Sequence, residues 1–287
     1  MADRLMRIVT SDGTVRGVAA ETTALVEECR RRQGTDPTAT VALGRLATGA
    51  ALMGALLKGD QRLALQVEGN GPLHKINAET DARGRVRASV KQPISDVPPT
   101  AEGFNVPAAV GRAGFLHVIK DLGLKEPYRS MVQLQSSEIA EDLAYYLATS
   151  EQIPSSVALG VYLEQEGHVG CAGGFMVQAM PPGNESDIAA LESHLRNMPT
   201  PTELLRQGLG PPEILERIFT DRPFDIVADS PLQFACRCSR RQVAAVLQSL
   251  GRDELAQLIV EGTAQVTCEF CKEVYSFSGD ELESLSS

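Results

Sequence analysis

The chain has 287 residues, 43% of them hydrophobic, enough for one large domain or two smaller ones with a real core. Its formal charge of −10 excludes a general affinity for nucleic-acid phosphates or anionic lipid, leaving room only for a local basic patch. Six cysteines are too sparse for a disulfide-stapled secreted scaffold, and "MADRLMRIVTSDG" carries charges where a signal peptide would be apolar, so a cytoplasmic, reducing compartment is expected.

In chain order, "LMRIVT" and "TVRGVAA" read as short strands joined by the turn signal "SDG" at 11–13. Thr22 or Thr23 is placed to cap a helix reaching Arg32, which "GTDPT" breaks. The stretch "TVALGRLATGAALMGALLKG", 40–59, has the length of a membrane span. Arg45 lies inside it and its apolar content is mostly Ala and Gly, so a buried, closely packed helix is expected and no membrane partner. "RLALQVEG" alternates, with Leu63, Leu65 and Val67 on one face. "KINAETDARGRVRASV" reads as two strands around Arg83-Gly84, and "GFLHVIKDLG" and "YRSMVQLQ" as two more. A helix over 136–152 shows Ser caps, early acids, and Ile139, Leu143, Tyr146 and Leu147 at helical spacing. A hairpin-like pair ends at Met180. Many antiparallel strands with segregated helices define the fold class as α+β, with a mixed core domain over 1–180.

Residues 181–231 change character. "PPGNES" reads as a loop, and short helices follow, broken by "PTPT" and "GPP" and holding few apolar anchors: Ile188, Leu191 and Leu195, then Ile214, Leu215 and Ile218. Helices this short are marginal alone and must lie on something, so a helical linker able to dock and undock is expected. Residues 232–287 read as a separate small domain. "SRRQVAAVLQSLG" carries a capping-box pattern at Ser239 and Gln242. Val243, Val246, Leu247 and Leu250 follow at helical spacing, with Gly251 at the C′ position. "RDELAQLIVEG" repeats that grammar up to Gly262. "AQVTCEFCKEVYSF" then reads as strand, tight turn, strand.

Cys236 and Cys238 alone admit four readings: a disulfide, half a metal site, a catalytic thiol pair, or chance. Cys268 and Cys271 lie beyond 29 intervening residues and bracket the hairpin turn. Four thiolates are a full tetrahedral set for one structural Zn2+. In an extended segment residues i and i+2 point to the same side, so both sulfurs of the C-x-C can face one ion. A unit this small is insecure on its own core, and structural zinc supplies about 10–16 kcal/mol of apparent binding energy in finger peptides. Four sulfurs without histidine also make a site that an oxidant can dismantle.

These residues resemble a known family. "FACRCSRRQVAAVLQSLGRDEL", "VTCEFCKEVYSFS", "AGGFMVQAMP" at 172–181, "YRSMVQLQSSEIAEDLAYYLATSEQIPS", "IFTDRPFDIVADSPLQF" and "GPLHKINAE" are similar to the thirty-three-kilodalton chaperonin family, the redox-regulated heat-shock holdases of bacteria. The resemblance covers nearly the whole chain. It implies one zinc ion held by Cys236, Cys238, Cys268 and Cys271 in a reduced, inactive state. It implies disulfides Cys236–Cys238 and Cys268–Cys271 on oxidation, zinc release, a loosened linker and ATP-independent capture of unfolded client proteins, often as a homodimer. No enzymatic activity and no catalytic residue are expected on this reading.

Two rivals stand beside it. A zinc-ribbon regulator binding nucleic acid or protein would use the basic residues Arg237, Arg240 and Arg241, too few for a convincing footprint in an acidic segment, so no nucleic-acid partner is expected. A thiol oxidoreductase would use Cys268 and Cys271 and need a low-pKa thiol free of metal. Cys29 and Cys171 read as packing residues. His74, His117, His168 and His194 show no metal spacing, and "GAALMG" at 49–54 lacks the Lys-Ser/Thr of a phosphate loop.

Overall fold

The strand pair read at the start of the chain forms around its turn. Arg4–Thr10 (β1) and Val15–Glu21 (β2) pair antiparallel, and the Asp12 carboxylate closes the turn by accepting from the Thr14 amide and the Thr10 and Thr14 hydroxyls. The structure, a computed structural model, describes residues 2–101, 103–181 and 185–285, with the side chains of 185–188, 190 and 252 left aside. It divides into two units, Met1–Phe234 and Ala235–Ser287.

Thr23–Gln33 (α1) follows β2. Neither threonine caps it: the Thr22 hydroxyl turns to that of Thr48 at 2.7 Å, and the Asp3 carboxylate accepts from the amides of Ala24 and Leu25. Pro37–Gly54 (α2) starts earlier than the apolar run, because the Asp36 carboxylate accepts from the Ala39 amide at 2.7 Å and Pro37 suits the first turn. Sixteen of its 18 residues are buried, so it is the central helix of the unit. Its small residues serve close packing: a Cβ on Gly44 would lie 2.6 Å from Val26 Cγ1 and 2.8 Å from Val161 Cγ2. Arg45 reaches out of the core to an ion pair with Glu138. Among the described residues no helix is long and apolar enough to cross a membrane.

The chain then lays down Arg62–Gly69 (β3), Lys75–Asp81 (β4), Arg85–Val90 (β5), a short helix Val106–Val110 (α3), Gly114–Asp121 (β6) and Tyr128–Gln133 (β7). Ala140–Thr149 (α4), Ser155–Leu163 (β8) and Val169–Ala179 (β9) complete the expected core. The helix expected over 136–152 is shorter at both ends. Ile139, at φ 61°, precedes its first turn, and the Asp142 carboxylate accepts from the amides of Gln135 and Ser136. One large cluster joins Leu5, Val18 and Met176 of one sheet, α1, α2 and α4, and Leu63, Leu65 and Val67 of the other. The fold is α+β with antiparallel sheets, as the element pattern implied.

Residues 181–231 belong to the first unit. Residues 182–184 of "PPGNES", and the Ile188 side chain expected as an anchor, lie outside what the structure describes. Glu185–Arg196 (α5), Pro201–Arg206 (α6) and Pro211–Ile218 (α7) are the short helices. A capping box holds α6: the Thr200 hydroxyl accepts from the Glu203 amide, and the Glu203 carboxylate accepts from the Thr200 amide at 2.7 Å. What the helices lie on is the outer face of a sheet. Met6, Ile8, Val15, Ala19, Phe175 and Val177 are covered by Leu191, Leu204, Ile214, Leu215, Ile218 and Phe219. Strand alternation explains the two-sided sheet: Leu5 and Met176 face the main core, while Met6 and Val177 face the helices.

The helical reading of this stretch stops at Ile218. Phe224–Pro231 (β10) is a strand that pairs antiparallel with β1, giving a five-stranded sheet in the order β10-β1-β2-β9-β8. Its "FDIVAD" is rich in β-forming residues and meets an open edge of β1. Gln233–Phe234 (β11) then adds in parallel to β5, completing a six-stranded sheet β11-β5-β4-β3-β6-β7.

Candidate metal centre

The second unit begins on the cysteines. Ala235–Cys238 runs free of helix or sheet into Ser239, whose hydroxyl accepts from the Gln242 amide and starts Arg240–Gln248 (α8). Val243 and Leu247 are buried, whereas Val246 and Leu250 are exposed, so the apolar stripe is narrower than its spacing implied. Gly251 is not the C′ residue of α8, which ends on Ser249; it is the N-cap of Arg252–Glu261 (α9). Gly262 closes α9 at φ 76°, in the left-handed conformation that suits a glycine C-cap.

Thr263–Thr267 (β12) and Val274–Ser278 (β13) pair antiparallel, with Thr267 opposite Val274. Cys268 and Cys271 lie in the turn between them. The Cys268 amide donates to Glu273 O at 2.9 Å, and the Lys272 amide donates to Cys268 O at 3.0 Å. These bonds fold the turn into a tight knuckle with Lys272 at φ 60°. A last helix, Gly279–Leu285 (α10), buries Leu282. Its signal was readable as the capping pair Ser278 and Glu281, whose carboxylate accepts from the Ser278 amide at 2.9 Å. The Arg240 guanidinium stacks 4.2 Å above the Phe277 ring and pairs with Glu281, tying α8 to the hairpin and α10. Among the described residues Val243, Leu247, Leu255, Ala264, Phe277 and Leu282 form the buried apolar cluster of this unit, small for a domain standing alone.

All four expected cysteines converge. Their sulfurs lie within 4.8 Å of one another, with Cys236 Sγ 3.7 Å from Cys268 Sγ and Cys238 Sγ 3.2 Å from Cys271 Sγ. None is in a disulfide. Four sulfurs at about 2.3 Å from a tetrahedral ion would be separated by about 3.8 Å, so spacing and donor type both fit zinc. Among the described residues no second group of His, Cys, Asp and Glu side chains has this convergence, and the four histidines take no part.

Burial pushes the Cys271 thiol well up and the Cys238 thiol up too. Without a cation these sulfurs therefore keep their protons at neutral pH, and a bound cation would reverse that. One residue that spacing did not reveal joins the site. Tyr275, half-buried on β13, donates its hydroxyl hydrogen to Cys238 Sγ at 3.1 Å. That bond pushes the phenol up, keeping it a donor. Outside the cluster, burial pushes the Cys29 thiol up to about 12. The Cys171 thiol, up to about 11, sits beneath α6, where its Sγ donates to Thr202 O at 3.7 Å.

Comparison with known proteins agrees along the whole chain. The Hsp33 protein family model matches residues 3–278. The 33 kDa chaperonin of Syntrophotalea carbinolica is 61% identical over 286 residues, covering 99% of both chains. That of Geobacter sulfurreducens is 52% identical over 286 residues, covering 99% of this chain and 95% of its own. The crystal structure of the 33 kDa chaperonin of Thermotoga maritima superposes with a TM-score of 0.92 at 37% identity, covering 99% of this chain and 98% of that one.

Proposed function

The chain belongs to the Hsp33 family of chaperones, and on that premise we propose that it is a zinc-dependent, redox-switched holdase that captures unfolding client proteins without ATP. The observation that carries this reading is the convergence of four thiols within 4.8 Å in a unit with little core of its own.

In the reduced state Cys236, Cys238, Cys268 and Cys271 hold one zinc ion and keep the C-terminal unit folded and the chaperone inactive. Zinc supplies the positive charge that keeps all four sulfurs deprotonated, and its bonds stand in for the missing core. A peroxide takes two electrons from each neighbouring thiolate pair, and solvent supplies two protons. Cys236 joins Cys238, Cys268 joins Cys271, and each peroxide leaves as two waters. Each disulfide withdraws two ligands, so the pair of them abandons the ion and the unit unfolds. Pairing across a single residue is strained, which makes the Cys236–Cys238 bond easily reduced and the switch reversible.

The surface released on this reading is the one that α5, α6 and α7 cover: Met6, Ile8, Val15, Ala19, Phe175 and Val177, together with the helices' own anchors. The chain runs from these helices through β10 and β11 directly into Cys236. Apolar surface of this kind is what an unfolding client offers in return. Cytoplasmic residence, dimerisation on activation and the absence of an enzymatic role are parts of the same reading. The pushed-up Cys271 thiol also speaks against a metal-free dithiol oxidoreductase.

The test is one titration of reduced, zinc-loaded protein with peroxide at raised temperature, following zinc, free thiols and the aggregation of a denatured client. Zinc release, loss of four thiols and suppressed aggregation are expected together. Zinc release without holdase activity would contradict the proposal.

A further inference from the structure

Tyr275 belongs to the hairpin that carries Cys268 and Cys271, yet its hydroxyl reaches a sulfur of the other half of the cluster, Cys238, at 3.1 Å. Tyr275 is partly buried and packs against the small apolar cluster of this unit, which helps to hold its ring in place. The hairpin half of the cluster has its own backbone fastening, through the Cys268 amide to Glu273 O and the Lys272 amide to Cys268 O. The C-x-C half lies outside helix and sheet.

We propose that Tyr275 is a positioning residue for Cys238: its hydroxyl fixes that sulfur in the metal-binding set and lowers its reactivity toward electrophiles. A sulfur that accepts an O–H shares the lone pair an electrophile would attack. Its negative charge, when deprotonated, is also spread onto the donor. Supporting hydrogen bonds to metal ligands commonly act in this way, orienting the ligand and tuning its basicity. The effect falls first on the C-x-C half, because the hydroxyl bonds Cys238 while the hairpin turn is held by its own backbone bonds. Tyr275 thus sets how readily the site opens at Cys236 and Cys238. This rests on the reading of the four cysteines as the zinc ligands.

The experiment uses full-length, reduced, zinc-loaded Tyr275→Phe, which keeps the ring and removes only the hydroxyl. Limited alkylation with iodoacetamide, mapped cysteine by cysteine by mass spectrometry, reads the effect without any oxidant. Cys238 should react about fivefold faster than in the parent protein, the net worth of one hydrogen bond, while Cys268 stays unchanged. Zinc affinity, measured against a competing chelator, should fall about tenfold. With cobalt(II) in place of zinc, the thiolate-to-metal charge-transfer band should move to lower energy. Unchanged rates at Cys238 overturn the proposal. So does equal acceleration at all four cysteines, or reaction at the rate of the urea-unfolded chain, since the ring alone should preserve the fold. A Tyr275→Leu variant provides the contrast: loss of the ring should accelerate all four. If instead the four cysteines hold no zinc, the parent protein itself fails the peroxide titration, whereas failure of this proposal alone leaves that titration intact.

Discussion

Burial raises the thiols of Cys238 and Cys271, so each binds a cation only by giving up a proton it otherwise keeps at neutral pH. The four ligands are therefore interdependent, and three sulfurs do not make three quarters of a site. Cys268→Ser should lower zinc affinity by more than about a hundredfold, beyond what loss of a supporting residue costs. In circular dichroism the C-terminal unit should melt early while the core around α2 melts as before. Cys29→Ser, a fully buried residue of the first unit that takes no part in the cluster, should leave zinc affinity unchanged. The grouping of the four cysteines was legible in the sequence because the C-x-C and C-x-x-C spacings are local and chemically restrictive. Tyr275 was not, because alternation along β13 does not say which side of the hairpin faces residues 236–238. Cys171 was read correctly as a packing residue, but its position beneath α6 depends on a pairing of β9 with a helix 30 residues away.

Among the elements, α5, α6 and α7 decide whether an apolar sheet face is covered. Each is short, so its stability comes from the sheet it lies on. Leu204, fully buried in α6, is one of the contacts holding that arrangement. Leu204→Ala should cost about 2–5 kcal/mol locally and loosen α6 without any oxidant. Alkylation of Cys171 in the reduced, zinc-loaded variant should rise at least tenfold, and some suppression of client aggregation should appear. A Cys171 as slow to react as in the parent would show that α6 stays docked. The helices themselves were readable from caps such as Thr200-Pro201 and from their few anchors. Strand β10 was missed because its identity comes from the open edge of β1, more than 200 residues earlier. The stop of α8 was misjudged for a local reason: Ser249 ends the helix and frees Gly251 to begin the next one.

At the scale of the whole molecule, the main core of the first unit, around α2, does not include the anchors of its outer helices. Among the described residues the second unit has one cluster of six buried apolar side chains beside its four sulfurs. Stability is thus distributed so that one part can open while the other stays folded. The α+β class was legible from strand periodicity, whereas the order of strands in the two sheets was not, since it is set by long-range pairing. The central claim is that loss of the sulfur site frees the helices from the sheet face. Hydrogen exchange, followed by mass spectrometry on the reduced zinc-loaded and the peroxide-treated protein, tests it most directly. The account predicts that amides in 190–219 and 235–285 lose protection on oxidation, while those of α2 and β3 keep theirs. Full protection of 190–219 in a protein that has lost its zinc and become an active holdase would contradict it.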